Sequence, residues 1–222
     1  PNPIPELEIQ YADFSSWQRD WLQGEVFESQ LGYWKKQLAD APALLKLPTD
    51  RPRPKIQTTH GAAFTFRFDD ALTTKVRDFS RKNGITVFMA LLSAYKVLLA
   101  KYSGQDDICV GIPVAGRDRT EIENIIGFFI NALVIRSRIS DNPSVSSLLT
   151  QVRKTTLDAY DHQHLPLEVI LDELDIERDL SHSPLAQVGF SMQTASPGES
   201  RAALNGVTVD NIGAEHVTAK YD

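Results

Sequence analysis

Cysteine is nearly absent. Cys109 is the only one in 222 residues, which excludes a disulfide framework and a thiolate metal cluster. It sits in an apolar, strand-like stretch, where a small buried hydrophobe fits better than a nucleophile. Positive charge is not in excess either: 23 Lys and Arg stand against 29 Asp and Glu, a formal net charge of −6. No basic field is therefore available to gather nucleic acid or an anionic membrane. Apolar runs long enough to cross a bilayer are missing, and no charged segment followed by an apolar one opens the chain. Neither a nucleic-acid nor a membrane partner is expected, and the expected compartment is the cytoplasm. The chain also lacks a Gly-rich phosphate loop and a Gly-x-Ser-x-Gly elbow. Its histidines, His60, His162, His164, His182 and His216, include no adjacent pair.

What is present is the composition of an ordinary globular domain, with 42% hydrophobic and 23% charged residues. A chain of this length can bury a real core. The Pro1-Asn-Pro-Ile-Pro5 opening and the stop at Tyr221-Asp222 do not look like natural termini, so a piece of something larger is expected. Phe14, Trp17 and Trp21 recur at helical spacing, as do Phe27, Leu31, Trp34 and Leu38 after Gly24. Asp13 is placed to cap the first of these helices. A Pro-rich connector spans 48–60. Alternation of Ala62, Phe64, Phe66 and Phe68 with Ala63, Thr65 and Arg67 predicts a half-buried strand.

A helix from Asp70 to the Asn83-Gly84 stop follows. The next, 87–102, opens at Thr86 and is apolar on nearly all sides, so it should be sandwiched. Strands are expected at 107–114 and within 125–139, the second apolar on both faces at its centre and therefore internal to the sheet, with a short turn or helix at 120–124. Asp141-Asn-Pro-Ser starts a helix whose buried stripe is Val145, Leu148, Leu149 and Val152, and Pro166 opens another that runs to about Leu174. Strand character returns at 185–192 and 207–209, around a Ser-, Gly- and Ala-rich loop at 194–205. Interleaved helices and strands make a mixed α/β layer structure.

One residue in this pattern needs a reason. Asn131 lies among apolar neighbours, and an amide there must find hydrogen-bond partners or cost roughly 1–3 kcal/mol. A satisfied core amide, a bulge or an amide facing a tunnel would each account for it. The His162-Gln-His164 pair beside Asp161 can be written as a metal site, but at a helix end a solvated or capping cluster fits better. Arg178-Asp179 and Arg117-Asp118-Arg119 read as surface charges or as fixed ion pairs. By residues alone no catalytic set is visible, and no metal is called for.

Six blocks then fall in order along nearly the whole chain. They are Tyr11-Ala-Asp-Phe-Ser-Ser-Trp17-Gln18, Leu47-Pro-Thr-Asp-Arg-Pro-Arg-Pro54, Gly111-Ile-Pro-Val-Ala-Gly-Arg117, Ile126-Gly-Phe-Phe-Ile-Asn131, His162-Gln-His-Leu-Pro-Leu-Glu168 and Arg178-Asp-Leu-Ser-His-Ser-Pro184-Leu-Ala-Gln-Val188. Together they resemble the condensation domain of nonribosomal peptide synthetases. Departures are modest: that family often has Asp at the place of His164, Phe at those of Leu167 and Ala186, and Thr at that of Ala132.

The resemblance implies an α/β fold, a mixed sheet flanked by helices, forming one lobe of a chloramphenicol-acetyltransferase-like pair with a tunnel between. On that map residues 1–12 are an extended segment from the interlobe junction and 13–222 the C-terminal lobe, with 193–206 bridging to the other lobe. The tryptophan face of the first two helices packs at the junction. The implied activity is amide formation between a donor acyl or peptidyl thioester and the α-amine of an acceptor aminoacyl thioester, in secondary-metabolite biosynthesis. No cofactor is bound directly; substrates arrive on the 4'-phosphopantetheine of carrier proteins. Implied partners are the N-terminal lobe, the upstream and downstream carriers and a neighbouring adenylation domain.

The family's His-His-x-x-x-Asp-Gly motif is expected upstream, so no catalytic residue is assigned in this chain. The chain is expected to be inactive alone and to self-associate. Asn131, Gly127, Phe129, Gly111 and Pro113 are the implied tunnel lining, with Gly127 allowing close approach of pantetheine. Two other functions stay open: a non-catalytic platform that recruits carrier proteins, and a coenzyme A-dependent acyltransferase of the same superfold.

Overall fold

The strand β1, Asp107–Val114, is rich in β-branched residues and pairs antiparallel with β2, Asn131–Arg138, from Asp107↔Arg138 to Val114↔Asn131. The structure, a computed structural model, describes residues 6–193, 217–219 and 221. Opposed residues in this register share a face. Ile108, Val110, Ile135 and Ser137 therefore lie on one side of the sheet, and Cys109 and Arg136 on the other. All six are buried, so helices and loops cover both faces, but among the described residues β2 is the edge of a two-stranded sheet and not the internal strand its apolar centre predicts.

Helices α1, Tyr11–Trp21, and α2, Gly24–Leu38, come first. Asp13 does secure α1, from its third position: its carboxylate accepts the Gln10 N–H at 2.8 Å. The turn into helix at Tyr11 precedes the expected end of the extended segment at residue 12. Trp34 of α2 is fully buried and donates its Nε1–H to the His162 carbonyl at 2.9 Å. Helix α3, Asp70–Lys82, is capped by Asp69, whose carboxylate accepts the Leu72 N–H. Helix α4, Val87–Ser103, is capped by Thr86 and closed by Gly104 in the left-handed region, φ 68°.

Helix α4 packs on α3, β1 and the later helix α5, Val145–Asp161. Its Leu98 and Tyr102 face outward, so the expected sandwich is open on one side. Helix α6, Leu167–Glu173, follows Pro166 and packs on α2 and β2. A single-turn 3-10 segment, Thr120–Ile122, fills the expected place between the strands.

Four expectations change or narrow in the structure. Residues 61–69 form no strand; the segment makes one bridge, His60↔Thr218, and Phe64 and Phe66 are 89% and 70% exposed. Period-two patterning supplied the face, but no ladder among the described residues covers it. Strand β2 starts only at Asn131, because Ile125 and Phe129 turn into a small separate cluster with Ile122, Leu7 and Ile9 while Ile126, Phe128 and Ile130 point outward. The 185–192 strand shrinks to one parallel bridge, Gly111↔Gly189, in which Gly111 donates to the Val188 carbonyl and accepts from the Phe190 N–H. Val145 is exposed and leaves the α5 stripe, which keeps Leu148, Leu149 and Val152. Residues 48–60 carry no helix or strand beyond the single bridge at His60. The expected 194–205 loop and 207–209 strand lie outside the described residues.

A buried polar joint ties β2 to α2. The Arg136 guanidinium bonds both carboxylate oxygens of Asp107 and donates to the carbonyls of Gln37, Ala39 and Asp40 at the end of α2. All of its donor directions are used, which is how a charge this buried is tolerated.

Candidate functional site

Four of the six sequence blocks meet around one cavity of about 430 Å³. From α1 come Tyr11, Phe14 and Trp17; from the end of β1 and the loop after it, Pro113 and Gly116; from the approach to β2 and its first residue, Phe128–Asn131; and from the turn before α6 and its first turn, Gln163, His164 and Glu168. These blocks are far apart in sequence and are brought together by the β1–β2 hairpin and by α1 lying across its end.

Asn131 stands at the junction of strand and cavity. Its Nδ2 donates to the carbonyls of Gln163 and Leu165, at 2.8 and 2.9 Å. Its Oδ1 accepts the N–H groups of Ala132 and Leu167, at 2.8 and 3.2 Å. An amide offers two donors and two lone pairs, and all four are taken. Asn131 therefore staples β2 to the 163–167 turn, and it borders the cavity with no hydrogen-bonding capacity left over.

Phe129 is buried under Tyr11 and Phe14, with ring centroids 5.1 and 4.8 Å away, and the Arg117 guanidinium lies 4.2 Å from its ring centroid. The Tyr11 hydroxyl donates to the Phe128 carbonyl at 2.7 Å. Gly127 does not border the cavity: the Tyr11 ring occupies the space its Cβ would fill. Packing of Tyr11 thus accounts for that glycine. Gly111 is buried against Ala186 and the 188–190 backbone, away from the cavity, whereas Pro113 lines it. Of the five expected lining residues, Asn131, Phe129 and Pro113 converge here; Gly127 and Gly111 support the walls from behind.

The histidine pair separates. His162 ends α5, its Nδ1 2.7 Å from the Asp158 carbonyl oxygen and its ring stacked on Tyr33 at 4.1 Å. Burial, with Asp158 and Asp161 adding to it, pushes the Tyr33 phenol up. His164 points instead into the cavity wall, with Nε2 3.3 Å from an Asp118 carboxylate oxygen. No three-residue set able to hold a metal occurs among the described residues.

Residue patterning alone missed the Asp118–His164 contact, because its partners are 46 positions apart. It also missed Lys96, fully buried on α4 with its ammonium donating to the Ile135 carbonyl at 2.7 Å and to Ser137 Oγ at 2.8 Å. Desolvation lowers that amine from 10.5 to about 7. A lysine inside an otherwise apolar helix pattern is the signal that could have exposed it. Among the described residues no single helix is long and apolar enough to cross a membrane.

The family model of the condensation domain matches residues 1–222. The chain is 56% identical over 190 residues to a linear gramicidin synthase of Brevibacillus parabrevis, covering 86% of this chain and 2% of that protein. It thus spans a few hundredths of the length of that relative. The fold superposes on a four-domain nonribosomal peptide synthetase bound to AMP and glycine with a TM-score of 0.76 and 26% identity, covering 82% of this chain and 14% of that one. It matches the X-domain in a complex with OxyB from teicoplanin biosynthesis with the same TM-score and identity, covering 84% of this chain and 42% of that one.

Proposed function

The chain belongs to the condensation-domain family of nonribosomal peptide synthetases, with its chloramphenicol-acetyltransferase-like fold, and from that premise we propose that it is the C-terminal lobe of a domain that forms amide bonds between carrier-borne thioesters. The observation that carries this reading is the meeting of four separate sequence blocks around a single cavity with aromatic walls. In the reaction the acceptor α-amine attacks the donor thioester carbon. A C–N bond forms, the C–S bond breaks, the donor carrier's pantetheine thiol leaves, and the amine gives up one proton.

A thioester is already activated, so alignment of two tethered substrates is the larger need; positioning supplies roughly 7–11 kcal/mol, against about 10²–10⁴-fold from a general base. This chain's share is positioning. Asn131 fixes the end of β2 to the 163–167 turn, Phe129 and Trp17 give an apolar wall, and Tyr11 sets the 126–130 segment over α1. The family's histidine, whether a base or an orienting and charge-stabilising group, is assigned to the lobe upstream, whose His-His-x-x-x-Asp-Gly motif this sequence does not contain. The pantetheine arms of an upstream and a downstream carrier would enter from the two sides of the lobe junction, with an adenylation domain loading the acceptor.

Mixing the purified chain with a donor-loaded and an acceptor-loaded carrier tests this. No amide product is expected from the chain alone, and product is expected once the N-terminal lobe is supplied in trans. Turnover by the chain alone would overturn the assignment of the reactive imidazole.

The saturated amide of Asn131 favours a second reading, a partner-recruiting platform, since that amide is not free to act on substrate. The similar X-domain is known in a complex with OxyB. If the two-lobed domain retains carrier binding but makes no product, the platform reading holds.

A further inference from the structure

Residues 115–119 leave β1 and run between two cavities. On one side is the aromatic cavity already described; on the other is a more open hollow, also of about 430 Å³, bounded by Val114, Ala115 and Tyr160. Pro113, Gly116, Asp118 and Gln163 border both, so this loop is the partition between them.

Three consecutive side chains fasten the partition, each to a different element. Arg117 lies 4.2 Å over the Phe129 ring and donates to the carbonyls of Ile122 and Glu123. Arg119 lies 4.2 Å over the Trp17 ring of α1. Asp118 reaches His164 in the turn before α6, 3.3 Å away. The aromatic side chains close a circuit behind them: Trp17 stacks on Trp21 at 5.4 Å, and Trp21 meets the His164 ring edge-on at 5.0 Å. Among these three fastenings only Asp118–His164 joins two residues that line the aromatic cavity.

We propose that the Asp118–His164 contact is a gate between the two cavities and limits the length of acyl or aminoacyl group that the first can hold. The inference rests on the reading of that cavity as the seat of a pantetheine-borne thioester. Asp118 is 40% exposed and His164 28%, and a polar contact that open to water is weak enough to part without disturbing its surroundings. Arg117 and Arg119 keep the rest of the loop in place when it does. Shut, the gate stops a straight chain at the His164 ring; open, it joins the second hollow to the first and admits further methylenes.

The test uses the 222-residue chain, with acetyl-pantetheine and octanoyl-pantetheine as calorimetric probes. Asp118→Ala and His164→Ala should each raise the ratio of octanoyl to acetyl affinity about tenfold, the gain from removing about two more methylenes from water. Exchanging the pair, Asp118→His with His164→Asp, rebuilds the contact and should restore the original ratio. Equal effects on both probes, or none, would overturn the gate.

A second readout separates the gate from the reading it rests on. Acrylamide quenching of Trp17, read with Trp21 replaced by phenylalanine so that loss of its contact with the His164 ring is not counted, and against a fully buried Trp34, should rise equally in the two alanine variants, no further in their double variant, and fall back in the exchanged pair. If the unaltered chain binds neither probe, the pantetheine reading fails and quenching alone decides the gate: the coupled rise upholds it, and unchanged or additive quenching sinks it.

Discussion

Replacing Lys96 by methionine should abolish a rise in stability that the unaltered chain shows between pH 7 and pH 9. Lys96 is fully buried, and its Nζ has two acceptors, the Ile135 carbonyl and Ser137 Oγ. An ammonium brings three donors to those two acceptors, whereas a neutral amine brings two. Burial therefore favours the neutral form and lowers the group from 10.5 to about 7, despite the opposing pull of Cys109 and Asp107. Between those two values the unfolded chain holds the proton and the folded chain does not, so stability climbs with pH. Each pKa unit corresponds to about 1.4 kcal/mol, and the gain from pH 7 to pH 9 works out at about 2 kcal/mol.

The window matters because other groups act with the opposite sign above it. Burial raises the Cys109 thiol from 9.0 to about 11, so the unfolded chain loses that proton first and stability falls once pH passes about 9. Tyr33, Tyr95 and Tyr160, all raised by burial, add to the fall at still higher pH. Urea unfolding followed by far-ultraviolet circular dichroism at pH 7, 8 and 9 reads the effect. The unaltered chain should gain stability across the series while Lys96→Met stays flat and is no less stable at pH 7. A flat profile in the unaltered chain, or an equal rise in the variant, would refute the burial argument.

Asn131→Ala strands two carbonyls and two N–H groups at a half-buried site, so a loss of about 2–3 kcal/mol is expected in urea unfolding. Asn131→Asp should lose more at pH 7, because it turns a carboxylate oxygen toward the Gln163 and Leu165 carbonyls; equal losses would refute this bonding pattern. Gly127→Ala forces the Tyr11 ring aside and should cost roughly 1–3 kcal/mol, shrinking when Tyr11 is also replaced by Leu; additive losses would show that the two do not touch. Ile126, Phe128 and Ile130 stand outside the core, Ile126 at 94% exposure, which predicts concentration-dependent self-association in sedimentation equilibrium. Ile126→Ser with Phe128→Ser should weaken it, and a monomer at high concentration would count against the apolar face.

Most of the fold could be read from periodicity and caps. Thr86, Asp69, Ser144 and Gly104 mark helix ends because their chemistry satisfies backbone groups locally, and local chemistry survives whatever the rest of the chain does. Strands were harder. At 61–68 the alternation of phenylalanines was correct as a pattern, but a strand exists only where a neighbour completes its ladder, and that neighbour is not encoded in the segment itself. At 125–130 the apolar run looked like an extension of β2, yet Ile125 and Phe129 are drawn into the separate cluster beneath α1. A competing hydrophobic partner across the chain outweighs local strand preference.

The site divides along the same line. Residue pattern located Asn131 but left its partners open, and the resemblance joined its block to three others; neither could say which atoms meet. Two of the three accounts of Asn131 as a buried amide, satisfied in the core and turned toward a tunnel, are compatible. Its four hydrogen bonds all run to β2 and the 163–167 turn, and that turn is itself a cavity wall. An amide that is fully spent on backbone groups cannot also hold a substrate, so any contribution to chemistry has to be geometric: it fixes the turn that carries His164, which lies between the two carbonyls it binds and in reach of Asp118. Any effect of Asn131 substitutions on activity should therefore track displacement of that turn, and should be reproduced by breaking the turn elsewhere while the amide is left intact.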